Sequence, residues 1–337
     1  MTISMVISRL TQPLINISSV SPKINVTTLP RQKENVVLVM GATGAGKSRL
    51  SIDLATRFPA EIINSDKMQV YEGLDIVTNK ITEEEQRGVP HHLLGTQNPY
   101  SDFTASNFCE MALLAIETIR GRGKLPIIVG GSNTFLEALI DDDDYKFRSR
   151  YDFCCLWVDV HMPVLHSYVA ERVDQMFDKG MVSELRPFFN PKGDYSRGIR
   201  KAIGVPEFDR YFRREAQADE ETRQRLLEEA LREMKENTQK LAGKQLGKIH
   251  ILKDVKRWKI QRVDATSVFR KRGEEEEANE EWRKTVAEPS AMIVDQFLCN
   301  LTPTKSGVSS GLRLVSLESA IASSSHLQSL GAHSCPV

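Results

Sequence analysis

Asn35-Val36-Val37-Leu38-Val39-Met40-Gly41-Ala42-Thr43-Gly44-Ala45-Gly46-Lys47-Ser48 is the stretch on which the fold turns. Val36 to Met40 is a short, wholly apolar run, the pattern of a strand buried on both faces of a parallel sheet. The eight residues that follow, Gly41, Ala42, Thr43, Gly44, Ala45, Gly46, Lys47 and Ser48, match G-x-x-x-x-G-K-[ST] in full. Its glycines let the backbone curl so that successive N–H groups point inward, and the start of the following helix adds partial positive charge. Lys47 supplies a full charge to phosphate oxygens, and the Ser48 hydroxyl is of the type that ligates Mg2+ beside them. The spacing therefore predicts strand, phosphate loop and a helix over about Gly46 to Phe58. By itself the loop points first to nucleotide hydrolysis or small-molecule kinase chemistry.

Outward from the loop, strands and helices alternate. Glu61-Ile62-Ile63, Pro126 to Val129 and Phe153 to Val160 read as further buried strands. Phe103 to Gly121 reads as a helix stopped by Gly121 and Gly123, and Gly130-Gly131-Ser132 opens another. The expected fold is α/β, a P-loop NTPase-like parallel sheet flanked by helices, with an additional mainly helical region. The α/β core is assigned to residues 35–162 and the helical region to 163–300. In the latter the clearest helix runs from about Ala218 to Ile251, with Leu227, Leu231, Met234, Leu241 and Ile249 expected on one face. Trp258 to Val263 is a candidate short strand, and Lys271 to Glu277 reads as a solvated charged segment.

The ends of the chain read differently. Residues 1–34 are rich in Ser and Thr, carry Arg9, Lys23, Arg31 and Lys33, and hold no acid before Glu34. That is the composition of an organelle transit peptide, here expected to be plastid, with a cytoplasmic location as the alternative. The Ser-rich stretch 301–337 is expected to be disordered. Only two residues follow Cys335, so the C-terminus does not meet the prenylation pattern.

Bulk properties narrow the function classes. The chain has 337 residues, 45 basic and 45 acidic side chains, and 40% hydrophobic residues, as in an ordinary globular protein. A zero formal charge argues against a general DNA or RNA binder. No apolar run reaches the ~18 residues that a membrane span needs. The five cysteines, Cys109, Cys154, Cys155, Cys299 and Cys335, form no Cys-x-x-Cys pair, which argues against a disulfide framework and a zinc ribbon. A monomer is expected. The adjacent His91 and His92 cannot both face one metal from a regular element and are read as structural or hydrogen-bonding groups.

The segment that redirects the reading is Ser65-Asp66-Lys67-Met68-Gln69-Val70-Tyr71, continued by Gly73-Leu74-Asp75-Ile76-Val77-Thr78-Asn79-Lys80. Asp66 falls just past the carboxyl end of a predicted strand, the edge at which open α/β sheets bind ligands. A carboxylate there either holds Mg2+ indirectly or acts as a general base. Together with Val89-Pro90-His91-His92-Leu93-Leu94-Gly95, Ile127 to Asn133, Leu156 to Val160 and Asp194 to Gly204, this segment resembles the plant adenylate isopentenyltransferases. The resemblance covers roughly residues 36–298. The related tRNA dimethylallyltransferases share the loop, the Asp-containing segment, a His-His and a Gly-Gly-Thr/Ser. The Thr78-Asn79-Lys80 ending and the Ser196-to-Gly204 segment favour the nucleotide branch.

The resemblance implies transfer of a dimethylallyl group from its diphosphate to N6 of ATP or ADP, and less well AMP, in cytokinin biosynthesis. It implies that the loop, with Mg2+ on Ser48, holds the donor diphosphate. Lys47 would stabilise the leaving group, Thr43 would lie near the reacting centre, and Asp66 would take the N6 proton. Ser132, Asp159, Arg197, Arg200, Lys201 and Lys244 are acceptor-side candidates. Ser132 otherwise caps a helix, Asp159 caps the helix after Pro163, and the cations are otherwise solvated. Relatives usually carry Ala-Cys-Arg-Gln or Ala-Lys-Arg-Gln where this chain has Ala242-Gly243-Lys244-Gln245. An arginine fork gives way to the point charge of Lys244, and Gly243 and Gly247 enter a helix at about 1 kcal/mol each. The alternatives are a tRNA dimethylallyltransferase, a P-loop small-molecule kinase and a non-catalytic nucleotide-binding protein.

Overall fold

The computed structural model describes residues 33–299. The proposed transit peptide, up to residue 32, the tail after residue 300 and Cys335 lie outside the described residues. Six strands, β1 (Glu34–Gly41), β2 (Ala60–Asn64), β3 (His91–His92), β4 (Leu125–Val129), β5 (Tyr151–Asp159) and β6 (Ile260–Asp264), form one sheet in the order β3-β2-β4-β1-β5-β6. Every pairing is parallel, for example Val37 with Ile127 and with Cys154. The helices of eight residues or more among the described residues are α1 (Lys47–Arg57), α2 (Ala105–Gly121), α3 (Asn133–Asp141), α4 (Met162–Asp178), α5 (Glu220–His250), α6 (Glu275–Trp282) and α7 (Glu288–Cys299). None is long and apolar enough to cross a membrane.

The period of two along β1 builds both layers. Val36, Leu38 and Met40 join one core with Phe108, Ile116, Leu136, Met234 and Ile249, from α2, α3 and α5. Val37 and Val39 join the other with Leu50, Leu54, Val169, Val286 and Val294, from α1, α4 and the C-terminal helices. Burial on both faces explains why β1 contains no polar residue between Asn35 and Gly41.

The expected α/β architecture is present, and its strands and principal helices begin within a few residues of where the pattern placed them. Three details differ. The two-residue strand β3 was not anticipated, because His91-His92 has no apolar alternation and pairs only through its backbone with Ile62 and Ile63. On α5 the buried stripe is Leu226, Ala230, Met234, Thr238, Ala242, Gln245 and Ile249, whereas Leu227 and Leu231 are half-buried and Leu241 is exposed. The stripe admits polar and small residues because α5 crosses close to the loop region, where hydrogen-bonding partners replace apolar ones. Finally, the charged stretch Lys271 to Glu277 is solvent-facing as expected, with only Lys271 half-buried, but from Glu275 it is helical: it opens α6, which leads Trp282 into the core.

Candidate active site

The loop after β1 begins at the carboxyl edge of the sheet. Gly46 ends it with φ +96°, a left-handed turn that side chains with a Cβ resist, and its carbonyl accepts the first helical bond from Leu50 N at 3.0 Å. Lys47 folds back over the loop, its Nζ donating to the Ala42 carbonyl at 2.8 Å. The side chain is nearly buried, and burial pulls its pKa from 10.5 down to about 8, against the pull of Asp66 and with added repulsion from Arg172. Arg172 arrives from α4, and its Nη2 donates to Thr43 Oγ1 at 3.0 Å. Burial lowers its pKa as well, with Tyr168 and Asp66 as partial compensation. Ser48 is exposed at the start of α1 and lines the same cleft.

Asp66 sits opposite, two residues past the end of β2. Asn64 fixes the turn: its Oδ1 accepts from Asp66 N at 3.1 Å, and its Nδ2 donates to the Asp66 and Leu93 carbonyls at 3.1 and 3.0 Å. Asp66 Oδ1 accepts from Met68 N at 3.1 Å, which orients the carboxylate. Its Oδ2 lies over Gly131, 3.2 Å from where a Cβ on that residue would stand. The loop and Asp66 thus face one cleft of about 800 Å3, which extends past Arg172 and Met176 to Asn279.

Gln245 joins the two halves. From α5, its Oε1 accepts from Thr43 N at 2.7 Å and its Nε2 donates to the Gly131 carbonyl at 3.0 Å. Asn133 Nδ2 donates to the Gln245 backbone carbonyl at 3.1 Å, so the residue is held at three points, two of them on its side-chain amide. A side chain on Gly131 would collide with Gln245 Nε2 at 2.3 Å, so only glycine allows this approach.

The acceptor-side candidates are scattered more widely. Ser132 neither caps α3 through its side chain nor lies free: its Oγ accepts from Lys67 N at 2.8 Å and steadies the backbone beside Asp66. Asp159, at the end of β5, accepts from Arg262 Nε at 2.7 Å and is held in the β5–β6 pairing rather than capping the helix after Pro163. Arg197 and Lys201 approach the Asp102 carboxylate at 3.9 and 3.5 Å. Arg200 lies 5.1 Å over the Tyr100 ring, and its Nε is buried without a hydrogen-bond partner. Lys244 is exposed on α5 beside Gln245. His92 Nε2 is 2.8 Å from Glu61 Oε2, and His91 Nδ1 donates to the Val89 carbonyl at 2.8 Å, so both histidines make structural hydrogen bonds. No group of three or more His, Cys, Asp or Glu suited to a metal occurs among the described residues.

Sequence reasoning missed Arg172, Gln245 and Trp282. Gln245 had a signal: it is the polar residue on the buried stripe of α5. Arg172 had none, since it follows Glu171 on a helix whose outer face is charged.

A protein-family model described as "IPP transferase" matches residues 69–149 and 141–247. "Adenylate isopentenyltransferase 3, chloroplastic" of Arabidopsis thaliana is 61% identical over 80% of each chain. The chain belongs to the adenylate isopentenyltransferase family. It is a prenyltransferase enzyme. Two other adenylate isopentenyltransferases extend the relation: number 5 of Arabidopsis thaliana, chloroplastic, is 58% identical over 81% of this chain and 84% of its own, and that of Humulus lupulus is 47% identical over 77% and 89%. Among solved structures, the tRNA isopentenylpyrophosphate transferase of Bacillus halodurans has a TM-score of 0.61 at 26% identity, covering 80% of this chain and 97% of that one. A eukaryotic dimethylallyltransferase acting on tRNA has a TM-score of 0.66 at 24% identity, covering 82% of each, and shares the fold. The adenylate isopentenyltransferase fold is thus the P-loop-like sheet of these transferases.

Proposed function

We propose that this enzyme transfers the dimethylallyl group of dimethylallyl diphosphate to N6 of ATP or ADP, and less well AMP, as a step of cytokinin biosynthesis. The observation that carries the reading is the convergence of the loop cations and the Asp66 carboxylate on one cleft. In the reaction the N6 lone pair attacks C1 of the donor and the C1–O bond breaks. Its electron pair leaves with diphosphate, and the N6 proton passes to Asp66 Oδ2.

Each residue has a distinct task. The loop amides, Lys47 and Arg172 balance charge that grows on the leaving diphosphate, in a site shielded enough to make that interaction strong. Asp66, with Oδ1 occupied by Met68 N, keeps Oδ2 for the amine and orients a nucleophile whose lone pair is delocalised into the ring. Gln245 keeps loop and base at a fixed separation. Arg197 and Lys201 are the acceptor-phosphate cations of this reading, and Lys244, exposed on α5, is a further candidate. The donor set suits Mg2+: the exposed Ser48 hydroxyl at the end of the loop, with no group of three or more carboxylates among the described residues, fits an ion that takes most of its ligands from phosphates and water. When bound there, the ion supplies further charge to the diphosphate.

A plastid location is part of the proposal. It rests on the composition of residues 1–34 and on relatives described as chloroplastic, although number 7 of Arabidopsis thaliana is described as mitochondrial. The reaction is tested by incubating purified enzyme with dimethylallyl diphosphate, Mg2+ and ATP, ADP, AMP or unmodified tRNA. Prenylated nucleotide is the expected product. Product on tRNA alone, or phosphoryl transfer without prenylation, refutes the reading.

A further inference from the structure

Trp282, the last residue of α6, reaches the phosphate loop from the far end of the described chain. It is 3% exposed, and its Cη2 lies 2.7 Å from the place a Cβ on Gly46 would occupy. Two bonds hold the ring there. Its Nε1 donates to Asp53 Oδ2 on α1 at 2.7 Å, and the Arg49 guanidinium lies over it at 4.5 Å from the ring centroid. Arg49 in turn donates through Nη2 to Asn279 Oδ1 at 2.9 Å, tying α1 to α6 on the cleft side. A second left-handed glycine of the loop, Gly44 at φ +81°, is covered from α4 by Val169, whose Cγ1 is 2.8 Å from a notional Cβ.

Both bends of the loop are therefore capped by apolar groups that belong to other helices. An uncapped glycine loop samples many conformations, and a ligand that needs one of them binds more weakly in proportion. The bend at Gly46 matters most, because it sets the direction of the Lys47 and Ser48 amides at the helix start.

We propose that Trp282 is a positioning residue for the donor diphosphate: seated on Gly46 and tethered to Asp53 and Arg49, it holds the loop in its anion-binding conformation before the donor arrives. The inference rests on the reading that this loop takes the donor rather than the nucleotide's phosphates.

Two variants and one spectroscopic measurement test it. Trp282→Phe keeps a ring over Gly46 and removes the bond to Asp53; Trp282→Leu removes the flat surface as well. The KM for dimethylallyl diphosphate is expected to rise about threefold in the first and about tenfold in the second, with kcat and the nucleotide KM within about twofold of wild type. An unchanged donor KM, or an equal change in the nucleotide KM, overturns the proposal. A chain carrying Trp157→Phe and Trp258→Phe keeps Trp282 as the only one of the three tryptophans. Because the ring is already seated on the loop, adding inorganic pyrophosphate with Mg2+ should leave its emission maximum nearly unshifted, and a large shift at saturating pyrophosphate counts against the proposal even if Trp282→Leu fails to fold. The pyrophosphate arm needs no turnover. Wild type that binds pyrophosphate but prenylates nothing defeats the reading of function and leaves Trp282 standing. Variants that bind pyrophosphate as tightly as wild type defeat Trp282 and leave the reading standing.

Discussion

Lys47 answers to two opposed demands. Burial holds its pKa at about 8, so the ligand-free fold bears the cost of a shielded ammonium at neutral pH. Unfolded, the group titrates near 10.5, so between about pH 8 and 10.5 the unfolded chain binds more protons than the folded one. This group's contribution to stability therefore rises with pH across that window and is least favourable below it. Lys47→Met is expected to raise the unfolding free energy by about 2 kcal/mol at pH 7 in denaturant titrations, a gain that shrinks above pH 8 and vanishes near 10.5. The same change should abolish pyrophosphate binding measured by calorimetry. Asp66 separates chemistry from binding in the opposite way. Asp66→Asn should lower kcat by about 10^2–10^4-fold while pyrophosphate affinity stays within about threefold, and full turnover in that variant would remove Asp66 as the base. Lys47 and Ser48 were legible in the sequence because a short contiguous motif dictates the loop's geometry, and Asp66 was placed at the ligand edge by its position past a predicted strand, its role coming from the resemblance. Arg172 and Gln245 were not, because they meet the loop only across 129 and 202 residues of chain.

The elements were legible where burial is two-sided or strictly periodic. β1, β2, β4 and β5 announce themselves as apolar runs, and α5 by its 3.6 repeat. What the repeat could not give was the facing of α5, since Thr238, Ala242 and Gln245 on its buried stripe carry little hydrophobic signal. The same helix contains Gly243 and Gly247, and a Cβ added to either would meet nothing within 4 Å. Both are in helical segments with no need for a glycine conformation. Gly243→Ala and Gly247→Ala are each expected to stabilise the protein by about 1 kcal/mol, read from thermal or chemical unfolding, because each sits in ordinary helical backbone with open space for a Cβ. Donor and nucleotide KM should not move.

At the scale of the whole molecule, one buried carboxylate secures the thin edge of the sheet. Glu61 on β2 is 2% exposed and accepts from Arg122 at 3.0 Å and His92 at 2.8 Å, with Lys124 at 3.1 Å. Burial alone would raise its pKa; hydrogen bonds from Arg122, His92 and Lys124, with the charge of Arg122, outweigh it and bring the group down to about 2 from 4.5. A depressed carboxylate stabilises the fold above the unfolded value and loses that contribution as pH falls from about 4.5 to about 2. Glu61→Gln should cost about 2–3 kcal/mol at pH 7 and flatten the acid limb of the stability curve over that interval. The two-residue strand β3, which carries His92, should lose amide-exchange protection first in that variant.

The clasp of α6 on α1 also bears on how the protein comes into being. Arg49 and Asn279 are 230 residues apart in sequence, and Asp53 and Trp282 are 229 apart, yet both pairs flank the loop that ends at Ser48. Contacts of such long sequence separation form late. A nascent chain emerging from the ribosome can lay down β1 early, but its glycine bend has no lid until nearly all of the described residues have been translated. A message truncated before Trp282 would yield a protein with the whole signature loop in its sequence and no rigid loop in its structure.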